Sequence, residues 1–170
     1  MPHDVRGFTI MELMIAVVVV AVLAAMAFPS FHSLIRSTRV SSRTNELISS
    51  IALARSEAVC SAHGGGVCPS ANGDTCGDQW SQGWLVWNDA NGNGIFDKGE
   101  AVLRYVQGSP QLSVSALNAL PIAFDAHGLR RGSNNQVVTL RPDDCEGQPL
   151  QRTVTITATG QAKVDKGVCQ

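Results

Sequence analysis

Charge is scarce in this chain. Asp, Glu, Lys and Arg make up 16% of its 170 residues and sum to a formal net charge of -1. A near-neutral chain has no bulk electrostatic drive toward nucleic acid. The scarcity does not signal disorder, because 44% of the residues are apolar, which suits a packed chain with one greasy segment. The common catalytic signatures are missing as well: no Gly-x-Ser-x-Gly, His-Glu-x-x-His or Walker pattern occurs. The four histidines, His3, His32, His63 and His127, are scattered, and His127 beside Gly128 reads as a turn residue. These absences argue against an enzyme. There is no internal repeat and no low-complexity linker, and 18.0 kDa is enough for one domain with its own core.

The scarce charge leaves room for one long apolar run, from Phe8 to Phe28, with Glu12 near its start. One reading is a secretory signal peptide, with Ala24, Ala25 and Ala27 supplying small residues for a cleavage site. The other is a retained helix, since 21 residues match the ~20 needed to cross a bilayer. A carboxylate well inside such a helix costs roughly 2.5–3.5 kcal/mol and so tends to mark function. Near the helix end the cost is smaller, and an acid in the first turn suits the helix dipole. Snorkelling of Glu12 to the headgroups is the bland alternative.

The stretch Arg6-Gly7-Phe8-Thr9-Ile10-Met11-Glu12-Leu13 resembles the processing site of type IV pilins and type II secretion pseudopilins, and Pro29 stands where that family's helix kinks. The resemblance implies that a prepilin peptidase cuts between Gly7 and Phe8 and methylates the Phe8 amine. Glu12 would then pair with such an amine, on a neighbouring subunit, and set the axial register of packing, because an unpaired buried charge is expensive. Pro29 would be the second assembly residue. Ala54-Arg55-Ser56-Glu57-Ala58, Val67-Cys68-Pro69-Ser70, Trp80-Ser81-Gln82-Gly83-Trp84, Asn88 to Gly94 and Phe124-Asp125-Ala126-His127-Gly128 resemble the GspH/FimT family of minor pilins and pseudopilins. That implies a low-abundance subunit that primes or caps a type IV pilus or a type II secretion pseudopilus. Its partners would be other minor pilins or pseudopilins, the major subunit, the peptidase and the inner membrane. It would be a single-pass inner-membrane protein with a periplasmic domain before it enters the filament.

Beyond Pro29 the helix is expected to continue. Leu34, Leu47, Ile48, Ile51, Ala54 and Ala58 recur at helical spacing, and Gly64-Gly65-Gly66 is expected to end the helix. The remainder reads as short strands: 84–87, 103–106, 111–115, 122–124, 137–140 and 153–157. The fold class is therefore α+β, a long N-terminal helix with a transmembrane first half and an amphipathic second half. It packs on an antiparallel β-sheet or sandwich domain in the lollipop form of the pilins. The expected divisions are a leader at 1–7, a transmembrane or filament-core helix at 8–28, an amphipathic half-helix at 29–63 and an exported β domain at 64–170.

Five cysteines suit an exported domain. Cys68 and Cys76 bracket an Asn-Gly-Asp loop and are paired first; Cys145 and Cys169 bracket the last hairpin and are paired next. Cys60 is left over and reads as a small buried apolar residue. A zinc site from Cys60, His63, Cys68 and Cys76 matches no standard spacing.

Two binding readings stay open beside assembly. The run from Asp89 to Glu100 matches a twelve-residue EF-hand loop, with Asp89, Asn91, Asn93, Ile95, Asp97 and Glu100 as calcium ligands and Gly94 at the sharp turn. The plain alternative is a Gly/Asn-rich turn between strands. The second reading is DNA uptake. Related minor pilins that bind DNA carry Gly-Arg-x-Arg near the C-terminus, where this chain has Gly160-Gln161-Ala162-Lys163. Arg130, Arg131, Arg152, Lys163 and Lys166 could still form a patch, offset by Asp143, Asp144, Glu146 and Asp165. From Arg36 onward the charges balance, twelve basic (thirteen less Arg6) against twelve acidic (fourteen less Asp4 and Glu12).

Overall fold

The computed structural model describes residues 7–117 and 120–169; the side chains of residues 27–30 lie outside that description. The expected leader 1–7 therefore falls, except for Gly7, outside the described residues, and so does the Pro29 side chain. The chain divides into two units, residues 1–37 and 38–170.

Helix α1, Ile10–Ser61, enters both units. In the first unit its side chains are exposed and apolar almost throughout. In the second unit it buries Val40, Thr44, Leu47, Ser50, Ile51, Ala54 and Ala58, spaced by three or four, as one face of a 3.6-residue helix requires. Leu34, expected on this face, is 60% exposed instead, and Val40 opens the stripe.

Among the described residues eight strands follow: β1 Gly64–Pro69, β2 Gly83–Asn88, β3 Val102–Gln107, β4 Leu112–Ala116, β5 Ile122–Asp125, β6 Gln136–Pro142, β7 Gln151–Ile156 and β8 Ala162–Gly167. They form two four-stranded antiparallel sheets, ordered β3-β2-β1-β5 and β4-β6-β7-β8. In β6 and β7 buried and half-buried residues alternate, as in a sheet with one covered face. The core joins the helix stripe to Val67, Trp84, Val86, Ile122 and Phe124 of the first sheet and to Leu112, Val114, Val138, Leu140, Val154 and Ile156 of the second. The Trp84 indole N–H donates to the Ser50 hydroxyl at 3.0 Å, so the buried ring leaves no orphan donor.

The glycine run does something other than stop the helix. Ala62 ends it, in the left-handed conformation at φ 57°, the usual post-helical position. Gly64, Gly65 and Gly66 begin β1, a strand buried at every residue. A Cβ on Gly65 would lie 2.5 Å from the Ala54 carbonyl oxygen, and one on Gly66 would enter the Trp87 ring. These positions need glycine for close approach.

The outer face of the first sheet carries a second cluster, Cys68, Leu85 and Trp87, capped by Phe96 edge-on to Trp87 at 5.8 Å between ring centroids. Both expected disulfides are present, Cys68–Cys76 and Cys145–Cys169. The first closes the loop after β1, and the second ties the end of the chain to the β6–β7 connection. Cys60 is exposed, not buried, because it lies on the open side of α1.

Replacing Gly66 with Ala should destabilise the second unit by about 1–3 kcal/mol, the usual cost of forcing extra volume into a packed site. Urea unfolding of the full chain followed by tryptophan fluorescence measures it; an unchanged midpoint would show that Trp87 yields freely.

Candidate functional site

Gly7 and Phe8 precede the helix in open backbone. Among the described residues nothing lies within 4 Å of where a Gly7 Cβ would be, and Phe8 is 80% exposed. Thr9 caps the helix: its hydroxyl accepts the Glu12 N–H at 3.2 Å and its carbonyl accepts the Leu13 N–H at 3.2 Å. Thr-x-x-Glu is the sequence signature of a capping box, so the signal for this cap stood in the sequence beside the processing motif. Glu12 thus has a local reason to sit in the first turn as well as the expected assembly role. Behind it the helix has a mean hydropathy of 2.7 over its most apolar window, none of which is buried; by length and composition it can cross a membrane.

In the second unit the charged residues of α1 reach across to backbone. Arg55 donates from Nε to the Gly128 carbonyl at 2.9 Å and from Nη1 to the Gly160 carbonyl at 3.2 Å. Glu57 accepts the Asn88 amide at 2.6 Å. Arg43 reaches the Gln107 carbonyl at 3.1 Å and pairs with Glu46 at 2.9 Å. Arg55 touches turns belonging to both sheets, and the Phe124–Gly128 segment is one of them. Its Asp125 carboxylate accepts the His127 and Leu129 N–H groups at 2.9 and 3.0 Å. His127 is a turn residue, as expected.

The 89–100 loop closes on itself. Asp89 is fully buried, and its two carboxylate oxygens accept the Asn93 and Gly94 N–H groups at 3.1 and 2.7 Å. Glu100 accepts from Ala90 at 3.0 Å with one oxygen and from Asp97 at 2.9 Å with the other. The Asn91 and Asn93 carboxamides both donate to Asp97 Oδ2, at 2.8 and 2.7 Å. These two amides, Asn91 first, hold the Asp97 carboxyl below its ordinary value. Ile95 uses its N–H on the Asn93 carboxamide oxygen at 2.7 Å. No three His, Cys, Asp or Glu side chains converge on a metal-sized point among the described residues. Several of the oxygens named for calcium, those of Asp89 and Glu100 above all, accept N–H groups of the loop itself. The zinc set fails on chemistry, since Cys68 and Cys76 are joined to each other.

Of the five basic residues named for DNA, Arg130 and Arg152 are buried, while Arg131, Lys163 and Lys166 are exposed. Arg130 is only 8% exposed and donates to the carbonyls of Arg131, Gly132 and Asn134. Burial pulls its guanidinium below the ordinary arginine value. Arg152 is 5% exposed and donates to the carbonyls of Pro149 and Gln151. Arg131 is spent on the Gly92 carbonyl at 2.6 Å. Lys163 pairs with Asp165 at 3.0 Å, and Lys166, three positions on along β8, faces the opposite side of the strand. Runs of like charge in the sequence became backbone clamps in the fold.

Comparison with known families and structures follows the same two halves. The family model described as type II transport protein GspH matches residues 43–160, and the prokaryotic N-terminal methylation motif matches residues 2–28. No curated protein sequence matches the chain. The type IV minor pilin FimU of Pseudomonas aeruginosa PAO1 shares the fold: one crystal form aligns with a TM-score of 0.60 at 19% identity, covering 78% of this chain and 94% of its own. A second crystal form gives 0.58 at 20% identity, covering 76% and 97%. The minor pseudopilin EpsH of the Vibrio cholerae type 2 secretion system is more remote, with a TM-score of 0.49 at 13% identity, covering 77% and 96%.

Asp89→Ala should open the loop and cost about 2–4 kcal/mol, because two N–H groups lose a charged acceptor in a buried place. Thermal melting of the full chain measures this. The same assay with millimolar calcium tests the cation reading: a rise in melting temperature abolished by Glu100→Gln supports it, and no response leaves the loop a turn.

Proposed function

We propose, on the premise that the chain belongs to the type II transport protein GspH family, that it is a minor pilin or pseudopilin. It is anchored by its N-terminal helix and primes or caps a type IV pilus or type II secretion pseudopilus. One observation carries the reading: large apolar side chains from Phe8 to Met26 are exposed. At about 25 cal/mol per Å² of apolar surface, so long an uncovered run is stable only in lipid or against other helices. A retained helix that moves from membrane to filament meets both conditions.

The tip of that helix supplies the chemistry. Gly7 and Phe8 lie in exposed, non-helical backbone, the form a peptidase requires. Cleavage between them would free the Phe8 amine, and methylation would leave it cationic. The Glu12 carboxylate, one helical turn further on, would neutralise such an amine on an adjoining subunit, and the pair would fix axial register because either charge alone is costly among apolar helices. Thr9 would steady both by capping the turn between them. The second unit contributes surface and rigidity rather than catalysis. DNA uptake has no comparable support, since Arg130, Arg131 and Arg152 are committed to carbonyls of their own chain.

Mass spectrometry of the membrane-extracted protein should find residues 8–170 with a methylated Phe8 amine; an intact leader, or a cut after Ala25 or Ala27, overturns the proposal. Glu12→Ala should insert into the membrane at least as well as the parent chain but fail to co-purify with partner subunits. Gel retardation with duplex DNA at physiological salt is the check on the rival role, and strong, salt-sensitive binding would revive it.

A further inference from the structure

The chain contains three Asn-Gly steps, Asn72–Gly73, Asn91–Gly92 and Asn93–Gly94. This dipeptide is chemically labile. Glycine has no Cβ to shield its amide, and the amide nitrogen can attack the carboxamide carbon of the preceding Asn. Attack requires that the glycine N–H leave its hydrogen bond and that the backbone swing, so local structure sets the rate. The three steps differ sharply in this respect.

Gly73 is buried and donates to the Ser70 hydroxyl at 3.0 Å, inside the loop closed by Cys68–Cys76. The Asn72 carboxamide oxygen is held by the Asp74 and Thr75 N–H groups at 3.0 and 3.2 Å. Gly94 is buried under the Arg131 side chain and donates to the charged Asp89 carboxylate at 2.7 Å. Gly92 is only half-buried, and its N–H reaches a neutral backbone carbonyl, that of Asp89, at 3.3 Å. A long bond to a neutral acceptor is the weakest of the three. Asn91 itself is exposed; its carboxamide oxygen accepts the Asn93 N–H at 2.9 Å, so the difference from Asn72 lies in the glycine N–H and not in the carboxamide.

We propose that Asn91 is a site of spontaneous covalent modification, deamidating through a succinimide with Gly92 while Asn72 and Asn93 are held intact by the fold. The Gly92 nitrogen loses its proton and bonds to the Asn91 side-chain carbon. The bond from that carbon to Nδ2 breaks, and ammonia leaves. Water then opens the ring at either carbonyl, giving an aspartyl or an isoaspartyl linkage. Either product replaces the Asn91 Nδ2 donor, now 2.8 Å from Asp97 Oδ2, with a carboxylate that can only accept. Two acceptors then face each other in the loop that carries Phe96 over Trp87, leaving the Asn93 amide as the remaining donor to Asp97. The modification therefore loosens the cover on the outer face of the first sheet.

The test uses the full chain in detergent, aged in mildly alkaline buffer with and without urea, and peptide mass spectrometry with fragment ions that separate Asn91 from Asn93. In urea the three sites should convert at comparable rates. In the folded protein Asn91 should lead both others by at least about tenfold. Asn91→Gln should remove the leading event, and the aged wild-type protein should melt below the fresh protein. Native conversion led or equalled by Asn72 or Asn93, or an Asn91 that stays intact while the urea-treated chain converts, overturns the proposal.

Discussion

The second unit depends on how closely β1 lies against its neighbours. Gly65 sits where any Cβ would strike the Ala54 carbonyl, Gly66 where it would enter Trp87, and Gly64 where it would meet the Asp89 carboxylate. One strand thus touches the helix, the outer aromatic cluster and the root of the 89–100 loop. Asp89 is held from both ends, its N–H on the Gly64 carbonyl at 3.1 Å and its carboxylate on the loop amides. Widening β1 by one methyl group would disturb all three at once, because packed interiors transmit small volume changes.

With so few charges, several of those described in the second unit bond to backbone. Arg55 and Arg43 bind carbonyls that end turns or strands, and Arg130 and Arg152 do the same where they are buried. A guanidinium suits this because its planar fork satisfies several carbonyls at once and stays charged. Such bonds fix the turns that join the strands, leaving the sheets' outer edges, β8 above all, to carry the exposed Lys163, Asp165 and Lys166. Charged edge strands resist pairing with stray chains.

Legibility followed physical range. Periodicity marked α1, and β-branched alternation marked most of β2 to β7, because both depend on neighbours close in sequence. The cysteine pairs were readable from the loops they bracket. The glycine run was misread because a turn and a close-packed strand ask the same residue type for different reasons, and only the helix and Trp87 decide between them. Leu34 and Cys60 were misplaced because the register of a long helix against its sheets depends on contacts distant in sequence. The basic residues were counted as surface charge because sequence does not show which arginines find carbonyls. The EF-hand pattern serves two ends: short acids, Asn and Gly are what a cation needs and also what a tight self-bonded loop needs.

The Thr9 cap and the core starting at Val40 bear on one question, what covers the apolar half of α1. A long apolar helix inside a soluble protein is buried by its own chain. Here the side chains from Phe8 to Met26 are exposed, while the second unit closes its core with α1 residues from Val40 onward and both sheets. The one acid of the apolar half sits beside the cap, where its N–H has a partner within the chain. A capped acid at the helix start costs less during insertion than one further in. On the proposed function the same carboxylate would meet a cation brought by a neighbour, and that is the constraint on a subunit that waits in lipid before it assembles.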